Sequence, residues 1–179
     1  LADITRRGKA LYVGISNYNG KKMHKMHHRC EDFDVPFIIN QNRYSIFDRT
    51  IENNGLKSTA ARLNRGIIAF SPLAQGLLTD RYLNGIPSDS RVMTDGRFLS
   101  VNAITEEKLE KVRALSEIAK ERNQTLAEMA LAWVLKDGIV NSVLIGASKP
   151  SQILDNIKAI ENTSFTSDEL ERIDKISLT

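Results

Sequence analysis

The chain has one cysteine, Cys30, four prolines, few aromatic residues (6%) and no apolar run near the roughly 20 residues of a membrane span. A lone thiol cannot close an internal disulfide, which excludes a disulfide-stapled scaffold and fits a reducing compartment, the cytosol. Neither sign of charge dominates: 25 Lys and Arg stand against 22 Asp and Glu, a formal net charge of +3 over 179 residues. So mild an excess gives no case for nucleic acid or a membrane surface as the main partner. No secretory apolar segment follows the first residues. What is present, 41% hydrophobic and 26% charged residues, is ordinary for a globular domain and excludes a disordered or collagen-like chain. The chain opens without Met on Leu1-Ala2-Asp3-Ile4-Thr5-Arg6-Arg7, which reads like the middle of a helix. The expectation is a start inside a longer protein.

Four short apolar runs alternate with helix-like stretches. The first covers residues 11–16 and ends in the turn signal Ser16-Asn17-Tyr18-Asn19-Gly20. A polar helix over 20–32 follows. Pro36-Phe37-Ile38-Ile39-Asn40-Gln41 is the second run, its continuous apolarity suiting a strand of a parallel sheet. A helix is predicted over 54–64, then a third run over 66–71, stopped by Pro72. Residues 75–104 form a long polar stretch, and connections of that size are usually functional.

Thr105 is a helix N-cap followed by Glu106 and Glu107, with Leu109, Val112, Leu115 and Ala119 as the apolar face. Thr125-Leu126-Ala127-Glu128 is a capping box, opening a helix whose apolar positions repeat at helical spacing. The fourth strand-like run is 142–146. Pro150 suits the first turn of another helix, with Ile153, Ile157 and Ile160 predicted as its inner face. Thr166 to Glu169 is a second capping box, leading a terminal helix through Leu170 and Ile173. Strand and helix alternating four times means an α/β domain with a parallel sheet and right-handed crossovers. No linker and no second domain are visible.

The ends of the strand runs carry recognisable words. Gly14-Ile15-Ser16-Asn17-Tyr18, then Gln41 with Tyr44 after it, Phe70-Ser71-Pro72-Leu73-Ala74-Gln75-Gly76-Leu77-Leu78, Gly85-Ile86-Pro87 with Ser90-Arg91, and Ile145-Gly146-Ala147-Ser148-Lys149 with Gln152, Asp155 and Asn156 stand in that order. Together they resemble the ends of strands five to eight in the aldo-keto reductase family, in the branch holding L-glyceraldehyde 3-phosphate reductases and potassium-channel β subunits. The resemblance covers essentially the whole chain. It implies the second half, residues 1–179, of a (β/α)8 TIM barrel, because a whole barrel needs roughly 250 residues. The family's catalytic Asp, Tyr, Lys and His lie in the other half. Tyr18 and Tyr44 do not occupy the catalytic tyrosine's place, so no catalytic residue is assigned.

The resemblance implies a site for NADP(H). Ser16, Asn17 and Gln41 would hold the nicotinamide carboxamide, the alternative being turn capping at strand ends. Phe70 would stack on the ring, or serve simply as a core aromatic. Ser71, Pro72, Leu73, Ala74 and Gly76 would wrap the pyrophosphate with backbone N–H groups. Arg81 and Arg91 would add charge, their alternative being solvated loop positions. Residues 75–104 would then lie over the cofactor as a belt. Gly146, Ser148, Lys149 and Gln152 lie where a helix begins and would take the adenosine 2′-phosphate. Asp155 and Asn156 would hold the adenine. Much of the family has Lys before the Ser and Arg further on; here Ala147 precedes Ser148, Lys149 follows it, and Gln152 replaces the Arg.

No G-x-G-x-x-G and no G-x-x-x-x-G-K-[ST] word is present, so the binding is not of the Rossmann or P-loop kind. His24 and His28 stand at i, i+4, a spacing that can share a metal. With no H-E-x-x-H word, a solvated helix face is the preferred reading and no metal is expected.

The function implied is NADP(H)-dependent reduction of small aldehydes or ketones by a cytoplasmic enzyme. The alternatives are a redox-sensing binding protein like the channel β subunits, or a non-catalytic half-barrel. Four parallel strands alone leave two unpaired edges. They call for the missing N-terminal half, or for a homo-oligomer.

Overall fold

The computed structural model describes residues 1–83, 85 and 104–178. Within them, β1 (Val13–Ser16), β2 (Phe37–Arg43), β3 (Gly66–Phe70) and β4 (Val140–Val143) form one parallel sheet in sequence order. The helices are α1 (Ala2–Arg6), α2 (Gly20–Asp32), α3 (Thr50–Asn53), α4 (Leu56–Leu63), α5 (Glu106–Glu121), α6 (Leu126–Leu135), α7 (Pro150–Ile157) and α8 (Ser167–Ser177). The expected parallel α/β alternation is therefore present.

Strands that follow one another in a single direction, joined by crossovers of one hand, put their helices on one face of the sheet. Burial agrees. Val13, Asn40, Ile67, Ala69 and Val140 are buried, and the core continues through Met23, Tyr44, Leu115, Leu126, Met129 and Trp133. The alternate residues, Gly14, Ser16, Gln41, Ile68 and Phe70, are exposed or only half-buried. Ser16, Gln41 and Ile68 are register neighbours across the ladder, and Gly14 and Phe70 lie two positions from Ser16 and Ile68 on their strands, so all five share the second face.

Local chemistry starts the helices where the sequence indicates. Asn19 Oδ1 accepts from Lys22 N–H at 2.9 Å and begins α2. Thr105 Oγ1 accepts from Lys108 N–H at 3.3 Å and begins α5. Both capping boxes form, Thr125 with Glu128 and Thr166 with Glu169.

Three expectations need correction. The helix predicted over 54–64 is α4 alone, because Gly55 at φ +76° separates it from the short α3. The fourth strand runs over Val140–Val143 rather than 142–146. Leu144 N–H still donates to Ala69 O at 2.8 Å, but the chain then leaves the sheet. Ile153, Ile157 and Ile160, predicted as the inner face of α7, are exposed. Periodicity marks an apolar stripe, but nothing among the described residues covers this one. The described start of the 75–104 stretch holds 3₁₀ turns over Ala74–Gly76 and Asp80–Tyr82; Arg91, Ile86, Pro87 and Ser90 lie outside the described residues. No described helix is long and apolar enough to cross a membrane.

Candidate functional site

Parallel strands place all their carboxyl ends on one side, where ligands of α/β sheets bind. On that side lies a groove of about 940 Å³. Three stretches build it: the chain after β3, the start of α6 at Thr125 and Ala127, and the chain after β4 running into α7. Ser71, Pro72, Leu73, Gly76, Arg81, Gly146, Ser148, Lys149, Gln152, Asp155 and Asn156 all line it. Residues 71–76 and 144–156, far apart along the chain, are thus brought together. Ala74 lines a smaller adjoining cavity of about 200 Å³ with Arg43, Phe47 and Ser71. Ser16, Asn17, Gln41 and Phe70 line neither cavity; they lie at or beside the carboxyl ends of β1, β2 and β3.

The loop after β3 is unusual in its backbone. Ser71 (φ +54°), Ala74 (φ +48°), Gln75 (φ +63°) and Gly76 (φ +97°) are left-handed. Non-glycine residues rarely adopt this region, and such outliers concentrate at ligand clamps. The turn is closed by its own backbone: Ala74 N–H donates to Ser71 O at 3.0 Å, Gly76 N–H to Leu73 O at 2.9 Å and Leu78 N–H to Leu73 O at 3.1 Å. At Gly76 an added Cβ would meet the Tyr82 ring at 3.6 Å.

At the other end, Gln152 Oε1 accepts from Ser148 N–H at 2.8 Å, Lys149 N–H at 3.2 Å and Ser148 Oγ at 3.3 Å. Gln152, expected to touch a phosphate, uses its carbonyl to close its own turn and so positions Ser148 and Lys149. Asp155 forms an ion pair with Lys158 at 3.0 Å. The groove borders the N-termini of α6 and α7, two positive dipole ends, and Lys149 and Arg81 line it. The strand-end residues also hold one another: Asn17 N–H and Ser16 Oγ donate to Gln41 O at 2.9 and 3.2 Å.

Sequence reasoning missed Thr79, Asp80, Tyr82, Thr125, Ala127, Leu144 and Ile145 as groove residues. For Thr125 a signal existed: its capping box announces a helix N-terminus, though not which cavity it borders.

Tyr44 is fully buried. Its hydroxyl donates to Glu52 and accepts from Lys136 at 3.2 Å and Lys57 at 3.4 Å. Burial, then Glu52, pushes its pKa far up. A tyrosine beside a lysine has the composition of a proton donor, but this hydroxyl is sealed in the core and lines neither cavity. It is a structural group.

The fold and groove define a parallel α/β protein with a polar cleft at its strand ends. The chain belongs to the aldo/keto reductase family, whose model matches residues 1–178. It is 45% identical over 178 residues to the L-glyceraldehyde 3-phosphate reductase of Escherichia coli strain K12, covering 98% of this chain and 51% of that protein. It is 34% identical over 174 residues to a putative voltage-gated potassium channel subunit beta of Schizosaccharomyces pombe, covering 94% of this chain and 51% of that protein. A probable subunit of the same kind from Oryza sativa subsp. japonica is 32% identical over 172 residues, with 94% and 52% covered. The chain spans about half the length of these relatives.

Proposed function

We propose that this chain carries the nicotinamide-dinucleotide site of an oxidoreductase that reduces small aldehydes or ketones, with NADP(H) preferred to NAD(H). The groove supports this reading. Its volume of about 940 Å³ lies at the upper end of the usual range for ligand pockets. Ser71, Leu73 and Gly76 on one wall and Ser148 and Lys149 at the start of α7 on the other line the same groove, which supports a pyrophosphate beside the first and a terminal phosphate beside the second. When bound, the dinucleotide supplies the hydride. Ser16, Asn17 and Gln41 orient the carboxamide, Phe70 stacks on the ring, Arg81 and Arg91 add charge along the phosphates, and Asp155 and Asn156 hold the adenine. The reductase reading is preferred to the channel-subunit one because identity to the reductase is 45% against 34% and 32%.

The architecture in this reading is the second half of a (β/α)8 barrel. Among the described residues the second sheet face is sparsely covered, the outer edges of β1 and β4 carry no further strand and the stripe on α7 is exposed; four more strands with their helices would cover all three. Where that complement is the rest of a longer protein, it brings the proton donor; a second copy would complete only the sheet, since no residue of this chain is assigned to proton transfer. The cytoplasm is the proposed compartment.

Fluorescence titration of NADPH and NADH into the chain tests the reading. Saturable NADPH binding that weakens about tenfold in Lys149→Ala, the loss of one charge-assisted contact, with NADH binding little changed, supports it. Equal losses for both dinucleotides overturn the 2′-phosphate assignment. Intact binding in Lys149→Ala overturns the placement.

A further inference from the structure

The geometry points to a second site of a different kind: His24 and His28 on α2 form a two-imidazole chelate for a divalent transition-metal ion of the Zn²⁺, Ni²⁺ and Cu²⁺ class. The two residues stand one helical turn apart, and their rings meet edge to face with centroids 4.5 Å apart. Their Nε2 atoms face each other at 3.4 Å. Two nitrogens each about 2.0–2.1 Å from a tetrahedral zinc are about 3.3–3.4 Å apart. The imidazoles therefore already stand at the separation of two ligands on one ion.

Glu31 braces the pair. Its Oε2 lies 3.1 Å from His28 Nδ1, which assigns the ring proton to Nδ1 and leaves the Nε2 lone pair toward His24. A carboxylate behind a histidine is how outer shells of metal sites orient their ligands. The other oxygen of Glu31 is 3.4 Å from His27 Nε2; His27 is buried and does not join the pair. His28 is exposed and His24 half-buried, so an ion reaches them from solvent. Among the described residues no three His, Cys, Asp or Glu converge. Water, or a side chain of another molecule, completes the coordination, and affinity falls below that of a closed four-ligand site. Imidazole selects Zn²⁺, Ni²⁺ and Cu²⁺, with Cu²⁺ tightest, over the oxygen-seeking Mg²⁺ and Ca²⁺. Two coordinate bonds across one turn staple α2, the helix packed on α4.

Isothermal titration of tag-free, chelator-stripped chain with Zn²⁺ and with Ni²⁺ tests this. One ion per chain is expected, with a raised Tm. His24→Gln and His28→Gln each lower affinity at least tenfold, His27→Gln leaves it unchanged, and Glu31→Ala lowers it toward tenfold by removing the brace. On the unaltered chain, NMR shows two of the three imidazoles shifting with Zn²⁺, a readout that needs no variant. No saturable binding, binding that survives either His24→Gln or His28→Gln, or a shift led by His27 overturns the proposal.

Discussion

The Lys136 ammonium stands 3.5 Å from the centroid of the Trp133 ring and 3.2 Å from the Tyr44 hydroxyl. Burial, reinforced by nearby Lys57 and opposed by Glu52 and Asp137, holds its pKa down at about 8. An unfolded lysine titrates near 10.4. Between those values the unfolded chain binds more protons than the folded one, so stability rises with pH across that window. Below about pH 8 both states are protonated and the fold bears the full cost of the buried cation. Tyr44, its pKa raised, acts oppositely above pH 10: the unfolded phenol ionises and the folded one does not. Lys136→Met is expected to abolish a rise of about 2 kcal/mol between pH 8 and 10, read from urea midpoints at the two pH values. An unchanged slope in the variant would sink the assignment.

Arg122 anchors the C-terminal segment. Its guanidinium is buried and meets Glu169 at 2.8 Å, Ser164 O at 2.9 Å and Asn162 O at 3.1 Å, with the Phe165 ring centroid 3.7 Å away. Arg122→Met removes these contacts, takes the donor from Ser164 O and the cation from Glu169, and leaves Asn162 O to Gln124 and the carboxylate to the Thr166 N–H. The expected loss is about 3–5 kcal/mol, seen as early unfolding of α8 in hydrogen exchange. Glu169 follows in acid. Burial favours its neutral form, but the Thr166 N–H and Arg122 outweigh that and lower its pKa. Its contribution is present above the unfolded carboxyl range and is lost as pH falls through the folded value. The loss should be smaller in Arg122→Met.

Gly20 marks the closest approach of α2 to the chain before α4. A Cβ there would fall 2.3 Å from Gly55 O and 2.7 Å from Thr59 Oγ1. Backbone on one side and a buried helix on the other leave little room to yield. Gly20→Ala is expected to cost about 3 kcal/mol through overpacking, measured by denaturant unfolding. A neutral result would show that the helices slide apart.

Gln152 separates positioning from direct contact. Gln152→Ala removes all three acceptor contacts to Ser148 and Lys149, worth about 1 kcal/mol as a cap. NADPH affinity should fall about fivefold while Tm moves by only a few degrees. Gln152→Glu restores the acceptor yet adds a negative charge beside the anion. It should keep the turn and weaken NADPH more than NADH.

Much of this chain is written in local chemistry. Asn19, Thr105, Thr125 and Thr166 declare helix starts because a side-chain oxygen meets a backbone N–H a few residues on, which depends only on neighbours in sequence. The apolar runs declare β2 and β3 for the same reason. The site words were legible as far as their order, through likeness to a family. Their assembly was not: residues 71–76 and 144–156 meet only because parallel strands bring β3 and β4 side by side.

Some features had no local signature. The apolar spacing on α7 was plain in sequence, but whether a stripe is covered depends on which surface lies opposite, and here it stands exposed. Gln152 stands on the groove wall, and that its carbonyl also closes the turn onto Ser148 and Lys149 depends on a rotamer that its place in the sequence leaves open. The i, i+4 spacing of His24 and His28 was visible, whereas the 3.4 Å approach of their nitrogens and the brace from Glu31 depend on rotamers that spacing leaves open. Most helix starts and the α/β order are written along the chain, because they arise from periodicity and short-range hydrogen bonds; the bounds of β4 and the break at Gly55 are not. Which strand ends share a groove, which apolar faces are covered and which polar groups are sealed inside follow from contacts between residues far apart along the chain, so they become visible in the folded molecule alone.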